Sequence, residues 1–234
     1  MEEGLHIALA SEKIFDIWGF PVTNSLLTTW IVMAGILLVA FIIGRKVSVV
    51  PGRIQSAVEM FFEYVLGLIE QTLGSRQLAL RYFPFIVTIF IFIFIANTFN
   101  FLPIFGTIGL EHVSEGKSSL TPLFRPVNAD LNTTLALAMI SFLVIELSGI
   151  LTLGLWKYGS KFINFSNGFI GFAVGLLEII GNFARLISFS FRLFGAIFAG
   201  EILLMIVTLF VPYFLPVPLM AFEAFIGLLQ AAVF

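Results

Sequence analysis

Apolar residues recur in long blocks along the chain, and the few polar residues mark the ends of these blocks. Residues 25–44 carry no charged side chain over 20 positions. A helix of about 20 apolar residues, at about 1.5 Å each, matches a bilayer core of about 30 Å. Two further blocks with a similar pattern cover 83–102 and 132–155. The pattern therefore predicts three helices that span a membrane.

The segment 54–73 has a different pattern, in which acidic and apolar residues recur with the period of an α-helix. Glu59, Glu63 and Glu70 fall on one helical face, and the opposite face is apolar. A helix with one polar and one apolar face is typical of a membrane interface. We therefore predict an interfacial amphipathic helix here and favour this interpretation over a role in chemistry.

The C-terminal third of the chain contains a longer apolar segment. Residues 168–211 run for 44 positions without proline, which corresponds to a helix of about 65 Å. Either a hidden turn makes a helical hairpin, or one helix lies steeply tilted and nearly in the membrane plane. We favour the single tilted helix. Pro212, Pro216 and Pro218 end it, and a last apolar helix covers 217–234.

These segments predict an all-α, polytopic membrane protein with about five membrane helices, of which the two C-terminal ones are long and tilted, plus one interfacial helix. Since apolar blocks recur throughout, residues 1–234 are expected to form a single membrane domain. This arrangement places seven Lys and Arg in connecting segments on one side and three on the other. Because Lys and Arg favour the cytoplasmic side, the acidic N-terminus with Glu2 and Glu3 is predicted to lie outside, and residues 103–130 to form an external loop.

The composition agrees with a membrane protein and excludes several function classes. Hydrophobic residues make up 59% of the chain and charged residues 11%, with a mean hydropathy of +1.08. Soluble proteins have about 45–50% apolar residues and about 25% charged residues. Membrane lipid is therefore the expected surrounding. A net charge of −2 without a long basic run argues against nucleic acid as a partner. The chain has no Cys, so a thiolate nucleophile and a Cys metal site are excluded, and His6 and His112 are expected to be solvated, so no metal site is expected. No cofactor is expected either.

Four charged residues interrupt the long apolar segment, namely Glu178, Arg185, Arg192 and Glu201. A charge at a helix centre costs about 2.5–3.5 kcal/mol on insertion scales. The four residues are either structural ion pairs between packed helices or an ion path with its barrier. We favour the ion path, because ionisable residues within membranes are usually functional.

The spacing of these residues supports the ion path. Glu178, Arg185 and Arg192 are separated by steps of seven residues and share one helical face. Glu201 lies nine residues beyond Arg192 and faces the opposite way. Two offset aqueous half-channels require acids of this kind, about 21 Å before and about 13 Å after a cationic barrier. Arg suits the barrier because it does not lose its proton.

Two further polar features lie in predicted membrane helices. Glu223 and Gln230 are seven residues apart and form a polar stripe on the last helix. Glu146, in the third span, is either a partner for a basic group on a neighbouring helix or part of a water path, and both interpretations stay open.

A resemblance to a known family rests on four segments of this sequence. Residues 186–203 read LISFSFRLFGAIFAGEIL, in which the RLFG and AGE elements are highly specific. Residues 129–135 read ADLNTTL, residues 97–103 read NTFNFLP and residues 228–231 read LLQA. From about Arg81 onward the chain resembles subunit a of F-type ATP synthases.

The resemblance implies that the long helix faces a rotating c-ring, each of whose subunits bears one carboxylate, and that two half-channels carry protons to and from it. Arg192 matches the family's barrier, and Gln230 matches a glutamine thought to contact that arginine. The candidate ion-translocation residues are Arg192, Glu178, Glu201, Glu223, Gln230, Asn100 and Asp130. The resemblance also implies a non-catalytic stator subunit, with the c-ring and peripheral-stalk b subunits as partners, in an energy-transducing membrane such as a bacterial plasma membrane.

The sequence departs from the family pattern at two places. Ala196 follows RLFG where Asn is usual, so a polar contact there is missing or replaced. The family's last helix continues further, so the chain is expected to be truncated at Phe234. Two other function classes are alternatives: a secondary transporter, which should have inverted repeats that we do not find, and a non-conducting scaffold, in which Glu178, Glu201 and Glu223 tolerate Gln. Sodium ions stay an alternative to protons, because the coordinating residues would lie mostly on the c subunit.

Overall fold

The computed structural model describes residues 11–101, 109–114, 117–162 and 168–234. Within these ranges the chain is mainly helical and has two short β-hairpins. The α-helices are α1 (Asn24–Arg45), α2 (Arg53–Leu73), α3 (Arg76–Phe99), α4 (Leu131–Leu153), α5 (Leu155–Phe162), α6 (Gly168–Phe210) and α7 (Pro216–Val233). The strands are β1 (Lys13–Ile17), β2 (Phe20–Thr23), β3 (Gly109–Ser114) and β4 (Lys117–Pro122), and a short 3-10 helix covers Val127–Ala129.

The predicted all-α, polytopic class is confirmed. Among the described residues, five helices are long and apolar enough to cross a membrane, and few of their residues are buried within the chain. They are Asn24–Arg45, Arg76–Phe99, Leu131–Leu153, Gly171–Phe210 and Pro216–Val233. Exposed Leu, Ile, Val and Phe side chains cover these helices, as expected for surfaces in contact with lipid or with other subunits.

The helix that contains the second predicted span begins earlier than the apolar block of that span. We expected residue 83 as its start, whereas α3 begins at Arg76. The interruption lies at Gly74, which ends α2 in the left-handed conformation with φ 66°, and at the extended Ser75 that precedes α3. Such residues end and start helices through backbone conformation, which a search for apolar blocks does not detect. Pro84 lies within α3.

The long C-terminal segment is one continuous helix. α6 runs for 43 residues from Gly168 to Phe210, a length of about 64 Å. Within it no turn interrupts the helix at Gly181, so the hairpin alternative is excluded. The tilt of α6 in a membrane stays a prediction, as does the interfacial position of α2.

The described residues group into two units. The first unit contains Ser11–Val127 and Val217–Phe234. In it, the buried residues Val32, Ala96 and Val127 form a small apolar core. The apolar face of α2 packs on α3 through pairs of Phe rings. This packing partly covers the apolar face of α2.

Neither β-hairpin was predicted from the sequence. β1 and β2 are joined by Trp18 and Gly19, both with positive φ, as in the two-residue turns that match strand twist. β3 and β4 pair inside the predicted external loop. Asn24 Nδ2 donates a hydrogen bond to the Pro122 carbonyl at 3.3 Å, and the Arg125 amide donates one to Thr28 Oγ1 at 3.3 Å. These bonds hold the loop against the start of α1.

Several predictions fall on residues outside the described ranges. These are the acidic positions Glu2 and Glu3, His6, the expected end of the second span at residue 102, and residues 103–108 and 115–116 of the predicted loop. The single membrane domain predicted for 1–234 stays a prediction.

The second unit contains Asn128–Pro216. In it, the short helix α5 packs against both α4 and α6. Two glycines permit this packing: a Cβ at Gly149 would lie 2.5 Å from the Tyr158 ring, and a Cβ at Gly175 would collide with the Phe162 carbonyl. α4 and α6 are also linked by the hydroxyls of Thr134 and Ser190, which lie 3.3 Å apart.

Candidate functional site

One face of α6 lines an open cavity of about 220 Å³. Two of the sequence-predicted charges, Glu178 and Arg185, lie on this face together, as their spacing of seven residues requires. The remaining lining residues are Val174, Leu177, Gly181 and Asn182. The cavity is thus lined by a carboxylate, a guanidinium and an amide, all on a helix that is otherwise mainly apolar.

The carboxylate of Glu178 forms an ion pair with the short helix α5. Lys161 Nζ lies 2.5 Å from Glu178 Oε1, and the two side chains are 44% and 34% exposed. Lys161 also lies 5.8 Å from the centroids of the Tyr158 and Phe162 rings. Both side chains of the pair therefore remain partly exposed on the surface of the chain.

Glu146 on α4 is held by two neutral donors. Tyr158 Oη donates a hydrogen bond to Glu146 Oε2 at 2.5 Å, and Asn182 Nδ2 donates one to Glu146 Oε1 at 3.2 Å. Asn182 is 5% exposed. The sequence had suggested a basic partner for Glu146, whereas the contacts within the described residues are with a hydroxyl and an amide. The hypothesis of a water path stays open.

The environment of Tyr158 opposes the loss of its proton. Burial, the hydrogen bond to Glu146, and the charges of Glu146 and Glu178 raise the pKa of Tyr158 to about 12, against the opposing charge of Arg185. Tyr158 belongs to α5, outside the candidate spans. It therefore remains a neutral donor to Glu146 at physiological pH.

Arg192 lies in the C-terminal half of α6 with an exposed side chain. Its guanidinium carbon is 5.7 Å from the centroid of the Phe189 ring. The neighbouring residues Ser190 and Leu193 are buried, so one side of this turn packs within the chain and Arg192 points away from it. Within the described part of the chain, no ion pair includes Arg192.

Glu201 follows Arg192 on the same continuous helix and is half-buried. The nine-residue spacing turns it about 180° away from Arg192. Ala196, which replaces the usual Asn of the family, is also half-buried. The two acids predicted on α6, Glu178 and Glu201, are therefore separated both along the helix and around it.

A second polar contact joins α3 and α7. Glu223 is 5% exposed, and Asn100 Nδ2 lies 3.5 Å from its Oε1 atom. Three residues before Asn100, Asn97 Nδ2 donates a hydrogen bond to the Gly227 carbonyl at 3.0 Å. A Cβ at Gly227 would lie 3.0 Å from the Asn97 Cβ, so the absence of a side chain lets the two helices approach closely. Gln230 is half-buried on α7, two turns beyond Glu223.

Asp130 is placed at the start of α4, where it caps the helix. Its carboxylate accepts a hydrogen bond from the Asn132 amide at 2.9 Å, and the residue is 6% exposed. N-terminal caps of this kind contribute about 1 kcal/mol. Asp130 therefore stabilises the start of α4 as a helix cap. Its role in an ion path stays a prediction.

Sequence reasoning missed four residues of these polar clusters, namely Lys161, Tyr158, Asn182 and Asn97. Asn182 had a detectable signal, because it is four residues from Glu178 and shares its helical face. Lys161 and Tyr158 had none, since their contacts depend on how α5 packs against α4 and α6. Asn97 lay inside a segment that we had matched to the family without assigning it a role.

Comparisons with known proteins show the family of this chain. The family model described as ATP synthase A chain matches residues 26–234. The chain is 32% identical over 222 residues to ATP synthase subunit a of Moorella thermoacetica, covering 95% of this chain and 90% of the relative. It is 32% identical over 246 residues to the sodium ion specific ATP synthase subunit a of Propionigenium modestum, covering 100% and 78%. With Gloeobacter violaceus ATP synthase subunit a the identity is 35% over 212 residues, covering 90% and 78%. The chain therefore belongs to the ATP synthase subunit a family, the ion-translocating membrane subunits of that complex.

Proposed function

We propose that this chain conducts protons between bulk water and the carboxylates of a c-ring through two offset half-channels, with Arg192 as the barrier between them. The observation that carries this proposal is the exposed Arg192 on one continuous apolar helix. A charged side chain on such a helix is costly unless it meets water or a protein group of opposite charge. A ring of mid-membrane carboxylates is a partner of that kind.

The first half-channel contains Glu178. Its carboxylate lines an open cavity together with Asn182 and Arg185, about 21 Å before Arg192 along the helix. A water-filled cavity lined by a carboxylate and an amide lowers the cost of bringing an ion into an apolar segment. By the distribution of Lys and Arg, this half-channel opens to the cytoplasmic side, opposite the N-terminus.

The second half-channel contains Glu201 and Glu223, with Asn100 and Gln230 as polar neighbours. Support comes from within each unit: Glu201 faces away from Arg192 on α6, and Glu223 is buried beside Asn100 at the α3–α7 contact. A buried carboxylate with an amide within hydrogen-bond range is suited to receive and release a cation. Asp130, at the start of α4, stays a candidate residue of the ion path.

Arg192 prevents an ion from crossing the membrane without being carried by a c-ring carboxylate. Its guanidinium attracts an incoming c-ring carboxylate and favours the ionised form, so that the proton leaves into the exit path. Because the guanidinium keeps its own proton, it does not relay protons directly between the half-channels. The membrane potential supplies about 2.3 kcal/mol per charge per 100 mV, and the barrier converts this energy into rotation rather than leakage. The subunit itself makes and breaks no covalent bond of ATP.

The proposal includes the position of the chain in its complex. It acts as a stator subunit beside the c-ring and is held by peripheral-stalk b subunits. It lies in an energy-transducing membrane such as a bacterial plasma membrane, with its N-terminus outside.

The test is Arg192→Ala in the assembled complex, measured as ATP-driven acidification of inverted vesicles. We expect assembly to be preserved and pumping to be abolished, with Arg192→Lys a partial substitute at best. Gln in place of Glu178, Glu201 or Glu223 should each lower pumping. Full coupled pumping by Arg192→Ala would rule out the barrier, and full pumping by all three Gln variants would favour a scaffold.

The same vesicles decide which ion is carried. One relative is described as sodium ion specific, so the assay is run with and without sodium. Acidification that is independent of sodium supports protons. Acidification that sodium suppresses, with sodium uptake in its place, would assign sodium ions to the same path.

A further inference from the structure

The short helix α5 is docked beside Glu178 by several independent contacts. The Tyr158 ring fits against Gly149 of α4, and the Phe162 carbonyl fits against Gly175 of α6. The Tyr158 hydroxyl is bonded to Glu146. A helix of eight residues would not hold one position by itself, so these contacts define where its last turn lies.

The last turn of α5 brings a cation to the carboxylate of Glu178. Lys161 Nζ is 2.5 Å from Glu178 Oε1. Arg185 lines the same cavity as Glu178. The charges of Glu178, Glu146 and Arg185 all act on Tyr158 of α5. Among the described residues, however, the ion pair of Glu178 is with Lys161.

We propose that Lys161 is the exchangeable counter-ion of Glu178. Lys161 is thus a positioning residue of the ion path, and the transported ion must displace its ammonium group from the carboxylate. The inference rests on the proposed role of Glu178 in a half-channel. When a proton arrives, the carboxylate becomes a neutral acid, and the Lys161 ammonium, which keeps its three protons, is released to cavity water. When the proton moves on, the ion pair forms again, so the Lys161–Glu178 pair carries one positive charge while the proton is bound and no net charge after it leaves. A sodium ion would replace the ammonium in the same way.

Tyr158, Glu146 and Asn182 are positioning residues for this exchange. Tyr158 anchors α5 to α4, and Asn182 anchors Glu146 to the helix that carries Glu178. Lys161 consequently returns to the same place after each release. The exposure of the pair allows the exchange, because a fully buried pair would have to lose its charges in a low-dielectric interior.

The exchange can be followed with a cysteine reporter in the assembled complex. The chain contains no Cys, and a Cβ at Gly181 meets no atom within 4 Å, so Gly181→Cys places one thiol in the cavity without a clash. Its reaction rates with cationic and anionic methanethiosulfonate reagents report the local charge. Loss of one nearby charge changes each rate about twofold in opposite directions, and hence the ratio of the rates about fourfold.

We expect Lys161→Met to raise the ratio of cationic to anionic labelling about fourfold and Lys161→Arg to leave it unchanged. Lys157→Met is the matched control, because Lys157 is an exposed lysine of the same short helix. It removes the same charge from α5 without touching the pair, and its ratio should stay close to that of the parent.

Pumping is measured in parallel in chains without the reporter. Lys161→Met should reduce ATP-driven pumping several-fold, while Lys161→Arg and Lys157→Met keep it. The inference is overturned if Lys161→Met pumps like Lys157→Met, or if the labelling ratio does not respond to Lys161→Met. Normal pumping by Glu178→Gln would instead remove the role of Glu178, whatever the labelling ratio shows.

Discussion

The hydrogen bond from Tyr158 to Glu146 provides a direct test of how α5 is held. Tyr158→Phe removes the hydroxyl and keeps the ring that packs against Gly149. Hydrogen bonds to charged groups contribute about 1.5–3 kcal/mol. Glu146 keeps its second donor, Asn182, so we expect a loss near the lower limit, about 1.5 kcal/mol. The measurement is the free energy of unfolding in mixed detergent micelles, from a titration with a denaturing detergent.

The control for this measurement is Tyr213→Phe. Tyr213 is 93% exposed, so loss of its hydroxyl should change stability by less than about 0.5 kcal/mol. A double-mutant cycle with Glu146→Gln isolates the pairwise contribution, since the two residues are in contact. If Tyr158→Phe is no more destabilising than Tyr213→Phe, the bond does not anchor α5 and the positioning argument is refuted.

Three other outcomes are expected. Gly149→Ala should destabilise the chain by about 1–3 kcal/mol through overpacking against the Tyr158 ring. Gly159→Ala on α5 should not destabilise it, because a Cβ there meets no atom within 4 Å. Both variants are compared in the same detergent titration. A spectrophotometric titration should contain a tyrosine component near pH 12 that Tyr158→Phe removes. Because the pKa of Tyr158 in the folded chain lies above the ordinary 10.0, the stabilisation of the fold by neutral Tyr158 is complete below about pH 10. It is lost as the pH rises through about 12. Single cysteines in place of Glu178 and Glu201 should react with a membrane-impermeant thiol reagent from opposite sides, and labelling of both from one side would contradict the two half-channels.

The helices themselves could be predicted from the sequence because their determinants are local. The cost of placing polar groups in hydrocarbon and the thickness of a bilayer require apolar blocks of a certain length. The 43 residues of α6 contain no proline, and the structure has one helix there. Helical periodicity likewise placed Glu178 and Arg185 on a common face, where they line one cavity. The start of α3 was not predicted, because Gly74 and Ser75 act through backbone conformation rather than hydropathy.

The partners of the charged residues were decided by tertiary structure. Glu146 contacts Tyr158 and Asn182, 12 and 36 positions away in the sequence, and Asn100 approaches Glu223 across 123 positions. No local pattern specifies such pairs, because they depend on where two helices approach closely. That approach is permitted by the missing side chains of Gly149, Gly175 and Gly227, which look like ordinary residues of an apolar block. The sequence by itself thus determined which segments form long apolar helices and which charges they carry, whereas packing determined which groups those charges meet.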